Sequence, residues 1–373
     1  MAGKFQIREH DASPPAPTES DAPKSAASEP SVTPDSIATA VSEVDASGVQ
    51  LAAGIDAAAY HPVVLFGNAN SGKTSLLLSL FALLRTEPQL ATGLQLGDPI
   101  VPTESLYGRY LHEQAEGFFG RKTQDFIEGR ASPKTAIDLP FFIPVIFRPE
   151  GKPEIRFAFM ESNGEWYRAD RSSERLFPAL RQQIEEFLAA YQGPITFIHL
   201  LPYTQQAVYG AAADQLTDVN EMNEASLAIV GALLAYQRVR PNKQDDRHLM
   251  LVTKWDAHER EDVDRVDVLQ TAGEQPEGFA NARYEQAMAV FKGLGLSAGQ
   301  QNINAYCSGI IAGQNVTMPK RGDELRNAVI NYPTQLWRWL YRSTMEQLGE
   351  RPIDPFPARP SANWFLRLLD RLF

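Results

Sequence analysis

Short apolar runs alternate with helical patterns along most of the chain after residue 60. The first run, His61–Phe66, has the length and continuity of a buried strand. Similar runs predict strands over residues 141–147, 155–160, 195–201, 248–253 and 301–306. Apolar positions or runs between them predict helices over residues 75–84, 176–191, 227–236 and 332–348. Strands that alternate with helices predict an α/β fold of three layers, with a mainly parallel sheet and helices on both faces.

The two ends of the chain have a different composition. Residues 12–59 contain no aromatic residue and are mostly small, polar or acidic, so residues 1–59 are predicted to form a disordered tail. Residues 60–350 form the predicted domain. Residues 351–373 read as a proline-rich link and an amphipathic helix from Trp364 to Phe373. Packing on the domain is favoured over a membrane surface, because only two residues of that helix are basic.

Charge and cysteine content narrow the function classes. The chain has 46 acidic and 35 basic residues, and −6 of its net charge of −11 falls in residues 1–60. This balance argues against general nucleic-acid binding, which requires a basic surface. A lone cysteine excludes an internal disulfide framework, and no apolar run reaches the roughly 20 residues of a membrane span. The expected location is the cytoplasm.

The strongest local signal is the segment G-N-A-N-S-G-K-T, which follows the first predicted strand and precedes a predicted helix. It matches the phosphate-binding pattern G-x-x-x-x-G-K-[ST], whose amides curl around a phosphate. The helix that starts near Ser75 directs its positive end at the anion. Lys73 is expected to reach the β- and γ-phosphates, and Thr74 to bind Mg²⁺. The loop residues of this site are Gly67, Asn70, Ser71 and Gly72.

A second segment, M-L-V-T-K-W-D, ends an apolar strand in T-K-x-D. This resembles the guanine-reading motif [NT]-K-x-D of the translation-factor and Ras-like class of P-loop GTPases. The resemblance implies a P-loop NTPase fold in which Asp256 accepts hydrogen bonds from guanine. It also implies that Lys254 lies over the base and that Thr253 ties the strand end to the phosphate loop.

A third segment, E-S-N-G-E, resembles the D-x-x-G motif of the same class, with Glu161 in place of the usual aspartate. The resemblance implies that Glu161 holds a Mg²⁺-bound water and that the Gly164 amide meets the γ-phosphate. Glu165 stands where small GTPases place a water-orienting glutamine. A further metal ligand is expected from the first switch loop, where Thr135 is preferred to Thr103.

The last motif of the class is a short loop after the final strand. Cys307 and Ser308 occupy that place and are expected to offer backbone contacts to the guanine base, although a buried structural cysteine is equally compatible with the pattern. The four motifs occur in the expected order across residues 61–350. The G-x-x-x-S-G-K-T-S-L-L opening is also similar to bacterial double-GTPase families of conflict systems.

The resemblance implies a GTP-binding molecular switch that binds GTP or GDP with Mg²⁺ and acts on an unidentified protein partner. Hydrolysis is expected to be slow, because the Glu165 carboxylate adds repulsion beside the γ-phosphate. Two alternatives stay open. The first is a nucleotide-bound scaffold or interaction module without turnover, and the second is a P-loop ATPase in which T-K-W-D occurs by chance.

Overall fold

The structure is a computed structural model of the chain, and it describes residues 48–68, 71–128, 139–162, 182–203, 215–255, 275–308 and 322–357. Its centre is one seven-stranded sheet with the strand order β2-β3-β4-β1-β5-β6-β7. The strands are β1 His61–Phe66, β2 Thr92–Leu96, β3 Phe141–Pro149, β4 Ile155–Glu161, β5 Thr196–Pro202, β6 Arg247–Thr253 and β7 Gln301–Ala305.

Most of the sheet is parallel. Strand β1 pairs in parallel with β4 on one side and with β5 on the other, and β5–β6 and β6–β7 are also parallel. The pairs β2–β3 and β3–β4 are antiparallel. All the predicted strands are present, with shifts of no more than about two residues at their ends.

Helices cover both faces of this sheet. Adjacent residues of a strand point to opposite faces, and on β3 Phe141 contacts Phe118 while Phe142 contacts Phe187. The helices are α1 Gly48–Ala57, α2 Lys73–Thr86, α3 Leu106–Gly117, α4 Thr123–Ile127, α5 Gln182–Ala190, α6 Gln215–Val239, α7 Pro276–Arg283, α8 Glu285–Lys292 and α9 Gly322–Gln347. Helices α2, α4 and α9 pack together, and α1, α5, α6 and α8 form a second group. The predicted three-layer α/β architecture is therefore confirmed.

Helix α1 corrects the predicted extent of the tail. Leu51 and Ile55 are buried in the core, and Gly48 donates its amide to Glu186 of α5 over 3.0 Å. A Cβ on Gly48 would lie 2.0 Å from the Gln183 carbonyl oxygen, so only glycine permits this close helix contact. The prediction of disorder is wrong for residues 48–57, and residues 1–47 lie outside the described residues.

The start of the proline-rich link packs on the domain. Phe356 is buried against Phe147, with 6.4 Å between the ring centroids. The Lys152 ammonium donates to the backbone carbonyls of Asp354 and Phe356, and Arg338 pairs with Asp354 over 3.0 Å. This part of the link is therefore attached to the domain. The predicted terminal helix from Trp364 to Phe373 lies outside the described residues. Within the described part of the chain, no helix combines the length and apolar character needed to cross a membrane.

Three histidines of the described strands are buried in the sheet. His199 and His248 lie on neighbouring strands, and their Nε2 and Nδ1 atoms are 3.1 Å apart. His61 Nε2 lies 2.8 Å from the Thr196 hydroxyl. Burial lowers the pKa of His61 and of His199 to about 3, and it also lowers the pKa of His248. All three rings are therefore neutral in the folded protein near pH 7.

Stability is expected to fall as the pH is lowered from 6.5 toward 5. Folding lowers the pKa values of the three buried histidines. Below about pH 6.5 the unfolded chain therefore binds protons that the folded protein does not bind. Each histidine then removes up to about 1.4 kcal/mol of unfolding free energy per pH unit. Urea unfolding at several pH values measures this slope, and the His199→Leu/His248→Leu double variant should flatten it. Equal slopes for the two proteins would contradict the expectation.

A fully buried ion pair lies near these histidines, at the starts of β5 and β6. Both Arg240 and Asp246 have side chains with no exposed surface, and Arg240 Nε lies 3.0 Å from Asp246 Oδ2. Asp246 also accepts from the Ile195 amide at 2.9 Å and the Tyr236 hydroxyl at 3.1 Å. The pair therefore joins the end of α6 to the starts of β5 and β6.

Candidate functional site

The phosphate loop lies at the point of the sheet where the strand order reverses. Strand β1 is followed by the loop, and its two neighbours β4 and β5 lie on opposite sides of it. In open α/β sheets, ligands bind beyond the carboxyl ends of the strands at such a switch point. The ends of β4, β1 and β6 contribute Glu161, the glycine-rich loop and Thr253, respectively. Sequence motifs far apart in the chain thus come to one edge of the sheet.

The backbone of the loop favours glycine at both Gly67 and Gly72. A Cβ on Gly67 would lie 2.4 Å from Ser71 Oγ and 3.1 Å from Leu200 Cβ, so any side chain would collide with the loop and β5. Gly72 adopts φ 93°, a left-handed conformation that side chains disfavour. It sits immediately before α2, and its carbonyl accepts the Leu76 amide at 2.8 Å. The loop therefore turns directly into a helix whose positive end faces the site.

Lys73, the first residue of α2, is 6% exposed. Its ammonium donates to the Gly67 carbonyl over 2.5 Å and to the Asn68 carbonyl over 3.0 Å. Burial lowers its pKa to about 8, and the nearby Glu161 carboxylate opposes this shift. The ammonium group is thus held inside the loop, where a bound anion would replace part of its lost hydration.

Thr74 and Glu161 meet in front of this helix. The Thr74 hydroxyl donates to Glu161 Oε1 over 2.6 Å. Glu161 is 1% exposed, and its second oxygen, Oε2, has no hydrogen-bond partner among the described residues. Burial raises the pKa of Glu161, while the Thr74 hydrogen bond and the charges of Lys73 and Lys122 lower it. A buried carboxylate with an unpartnered oxygen beside a hydroxyl presents the hard oxygen donors that Mg²⁺ prefers, so these residues fit a magnesium ion.

The T-K-W-D segment is attached to the phosphate loop. Thr253 Oγ1 donates to the Ser71 carbonyl over 2.8 Å, and both residues are buried. Lys254 is exposed and adopts φ 58°, which is uncommon for a residue with a side chain. A residue keeps this strained backbone conformation only where the surrounding structure holds it in place. Here Thr253 is held by Ser71, and the Trp255 amide donates to the Tyr306 carbonyl over 3.3 Å.

The loop after β7 lies beside the same strand end. The Tyr306 amide donates to the Val252 carbonyl over 2.9 Å. Cys307 is buried and Ser308 is half-buried. The Tyr306 hydroxyl lies 2.5 Å from Ser79 Oγ of α2. Tyr306 therefore links this loop to the helix of the phosphate loop. In the sequence, the one sign of this contact is Ser79, a polar residue within the apolar run of that helix.

The structure brings together most of the described site residues. Gly67, Ser71, Gly72, Lys73, Thr74 and Ser75 form the loop and the helix start, with Glu161 and Thr253 in direct contact with them. Lys254, Cys307 and Ser308 lie at the adjoining strand ends. Asn70, Thr135, Gly164, Glu165 and Asp256 lie outside the described residues. Within the described ranges, no cluster of three or more His, Cys, Asp or Glu residues could hold a metal ion.

Comparisons with known proteins add little to this geometry. No protein-family model matches the chain, and no curated protein matches it. A solved structure titled "Signal recognition particle receptor SRb-GTP/SRX complex from Chaetomium thermophilum" is similar, with a TM-score of 0.29 and 13% sequence identity. The similarity covers 72% of this chain and 97% of that chain. A TM-score this low carries no argument about this chain.

Proposed function

We propose that this protein binds GTP together with Mg²⁺, hydrolyses it slowly and acts as a molecular switch. The observation that carries the proposal is the hydrogen bond from Thr253 to Ser71, which joins the T-K-W-D segment to the phosphate loop. A phosphate loop alone serves adenine and guanine nucleotides equally. A guanine-reading segment fixed to that loop favours guanine.

Phosphate binding would use the loop amides, the positive end of α2 and Lys73. Lys73 now donates to two loop carbonyls, and its ammonium would turn part of that capacity to the β- and γ-phosphates. Thr74 and Glu161 would hold Mg²⁺ with Thr135, and the bound ion would neutralise charge on the phosphates. Gly164 would offer its amide to the γ-phosphate.

Base recognition would use the strand ends of β6 and β7. Asp256 directly follows the buried Trp255, and its carboxylate would accept two hydrogen bonds from guanine that adenine cannot donate. The exposed Lys254 would lie over the base, and the backbone at Cys307 and Ser308 would contact its oxygen. A carboxylate covered by a bound base that lacks these donors would lose its hydration without compensation, which would discriminate strongly against adenine.

Turnover separates the switch from the scaffold alternative. Glu161 and Glu165 replace the residues usual in this class, and this departure favours slow hydrolysis or none. Single-turnover incubation of purified protein with GTP and Mg²⁺ should release phosphate over minutes to hours, and Lys73→Met should abolish that release. Absence of phosphate from the wild-type protein over many hours would overturn hydrolysis and leave a nucleotide-bound interaction module.

A further inference from the structure

A π-helical turn at Phe118–Lys122 interrupts the helical segment formed by α3 and α4. The Thr123 amide and hydroxyl both donate to the Phe118 carbonyl, the hydroxyl over 3.1 Å. π-helical turns are rare and frequently occur at functional sites, because the extra residue redirects the side chains that follow. The last residue of this turn is Lys122.

The turn is fixed to the helix of the phosphate loop. Phe118 contacts Phe81 of α2, with 6.2 Å between the ring centroids. Arg85 of α2 donates to the Phe119 carbonyl over 2.6 Å, and its guanidinium lies 4.3 Å from the centre of the Phe119 ring. Helix α4, which follows the turn, also packs on α2. The position of Lys122 is therefore set relative to the phosphate loop.

Lys122 faces the Glu161 end of the site. Its ammonium lies 5.5 Å from the centre of the Phe118 ring, and Phe118 packs on Phe141. Phe141 is the register partner of Glu161 in the β3–β4 pair, so both side chains point to the α2 face. The positive charge of Lys122 acts on Glu161 and lowers the pKa of that carboxyl. Among the described residues the ammonium forms no hydrogen bond or ion pair.

We propose that Lys122 is a second cation of the phosphate site, which contacts the terminal phosphate of a bound nucleoside triphosphate in addition to Lys73. This proposal depends on the proposed nucleotide binding. Its physical basis is that two partly or fully buried lysines, Lys73 and Lys122, both act on the Glu161 carboxylate among the described residues, and an anionic terminal phosphate would offset part of their charge. The half-buried Lys122 side chain lies over Phe118, on the face of the sheet that also carries Glu161.

The test compares GTP and GDP affinities by isothermal titration in the presence of Mg²⁺. Lys122→Met should lower the GTP affinity by about 10- to 100-fold, as expected for loss of one charge-assisted contact. The GDP affinity should change less than about threefold, because a diphosphate lacks the terminal phosphate. Lys122→Arg should retain most of the GTP affinity. Arg121→Met, which removes an exposed cation from the same turn, should leave both affinities unchanged.

Two outcomes would overturn the role of Lys122 while leaving nucleotide binding intact. They are an unchanged GTP affinity in Lys122→Met and equal losses of GTP and GDP affinity. Lys122→Gln, which keeps a chain of similar size with a polar end, provides the same comparison if Lys122→Met fails to fold. A wild-type protein that binds neither nucleotide would overturn the proposed function first and this proposal with it.

Discussion

The Asp256→Asn variant should bind GTP at least about 100-fold more weakly than the wild type and should gain affinity for XTP. The wild-type carboxylate would accept two charge-assisted hydrogen bonds, each worth roughly 1.5–3 kcal/mol, from the donors of guanine. An asparagine places an NH₂ group against one of those donors, whereas xanthine offers an oxygen that this NH₂ can meet. Competition of GTP and XTP for a fluorescent nucleotide measures the change.

The control for this variant is Glu259→Gln, which removes a negative charge three residues further along the chain. It should leave the preference for GTP over XTP as it is in the wild type. If Asp256→Asn also leaves that preference unchanged, then T-K-W-D does not read guanine. The ATPase alternative would then become the better account of the phosphate loop.

The Asp246→Ala variant should lose about 3–5 kcal/mol of unfolding free energy. Removal of the Asp246 carboxylate leaves the fully buried Arg240 guanidinium without its counter-charge. Removing one partner of a buried ion pair is strongly destabilising. The Ile195 amide and the Tyr236 hydroxyl lose their acceptor at the same time. Urea unfolding at pH 7 measures the loss.

The matched control is the ion pair of the exposed Arg238 and the half-buried Glu185, whose charged atoms lie 2.6 Å apart. Glu185→Ala should change stability by no more than about 1 kcal/mol, because solvent screens exposed ion pairs. Comparison of Asp246→Ala with Glu185→Ala therefore separates the effect of burial from the effect of removing a charge. A loss of less than about 1 kcal/mol in Asp246→Ala would contradict the importance given to this network.

The sequence is informative where a single strong pattern decides the structure. His61–Phe66 and the glycine-rich loop are predicted together, because an apolar run of six residues that ends at a glycine favours a buried strand and the loop pattern expects a strand before it. The structure then supplies the detail, since the need for Gly67 comes from its approach to Ser71 and Leu200. The pairing of Thr74 with Glu161 depends on the adjacency of β1 and β4, which only the fold reveals.

Other features are invisible to single-sequence patterns. Strand β2 (Thr92–Leu96) is a half-exposed edge strand with a glycine, so it lacks the apolar run of a central strand. Helix α1 is rich in small residues and is stabilised by its contact with α5 rather than by its own composition. The π-helical turn that positions Lys122 depends on Thr123 and on packing against α2, and no local sequence pattern indicates it.

We propose that the phosphate loop and T-K-W-D together form a guanine-nucleotide site. The most direct measurement is competition of GTP, GDP and ATP, with Mg²⁺ present, for a fluorescent guanine nucleotide bound to the wild-type protein. Displacement by GTP and GDP is expected at concentrations at least about 100-fold lower than by ATP. Displacement by ATP at equal or lower concentration would contradict this proposal.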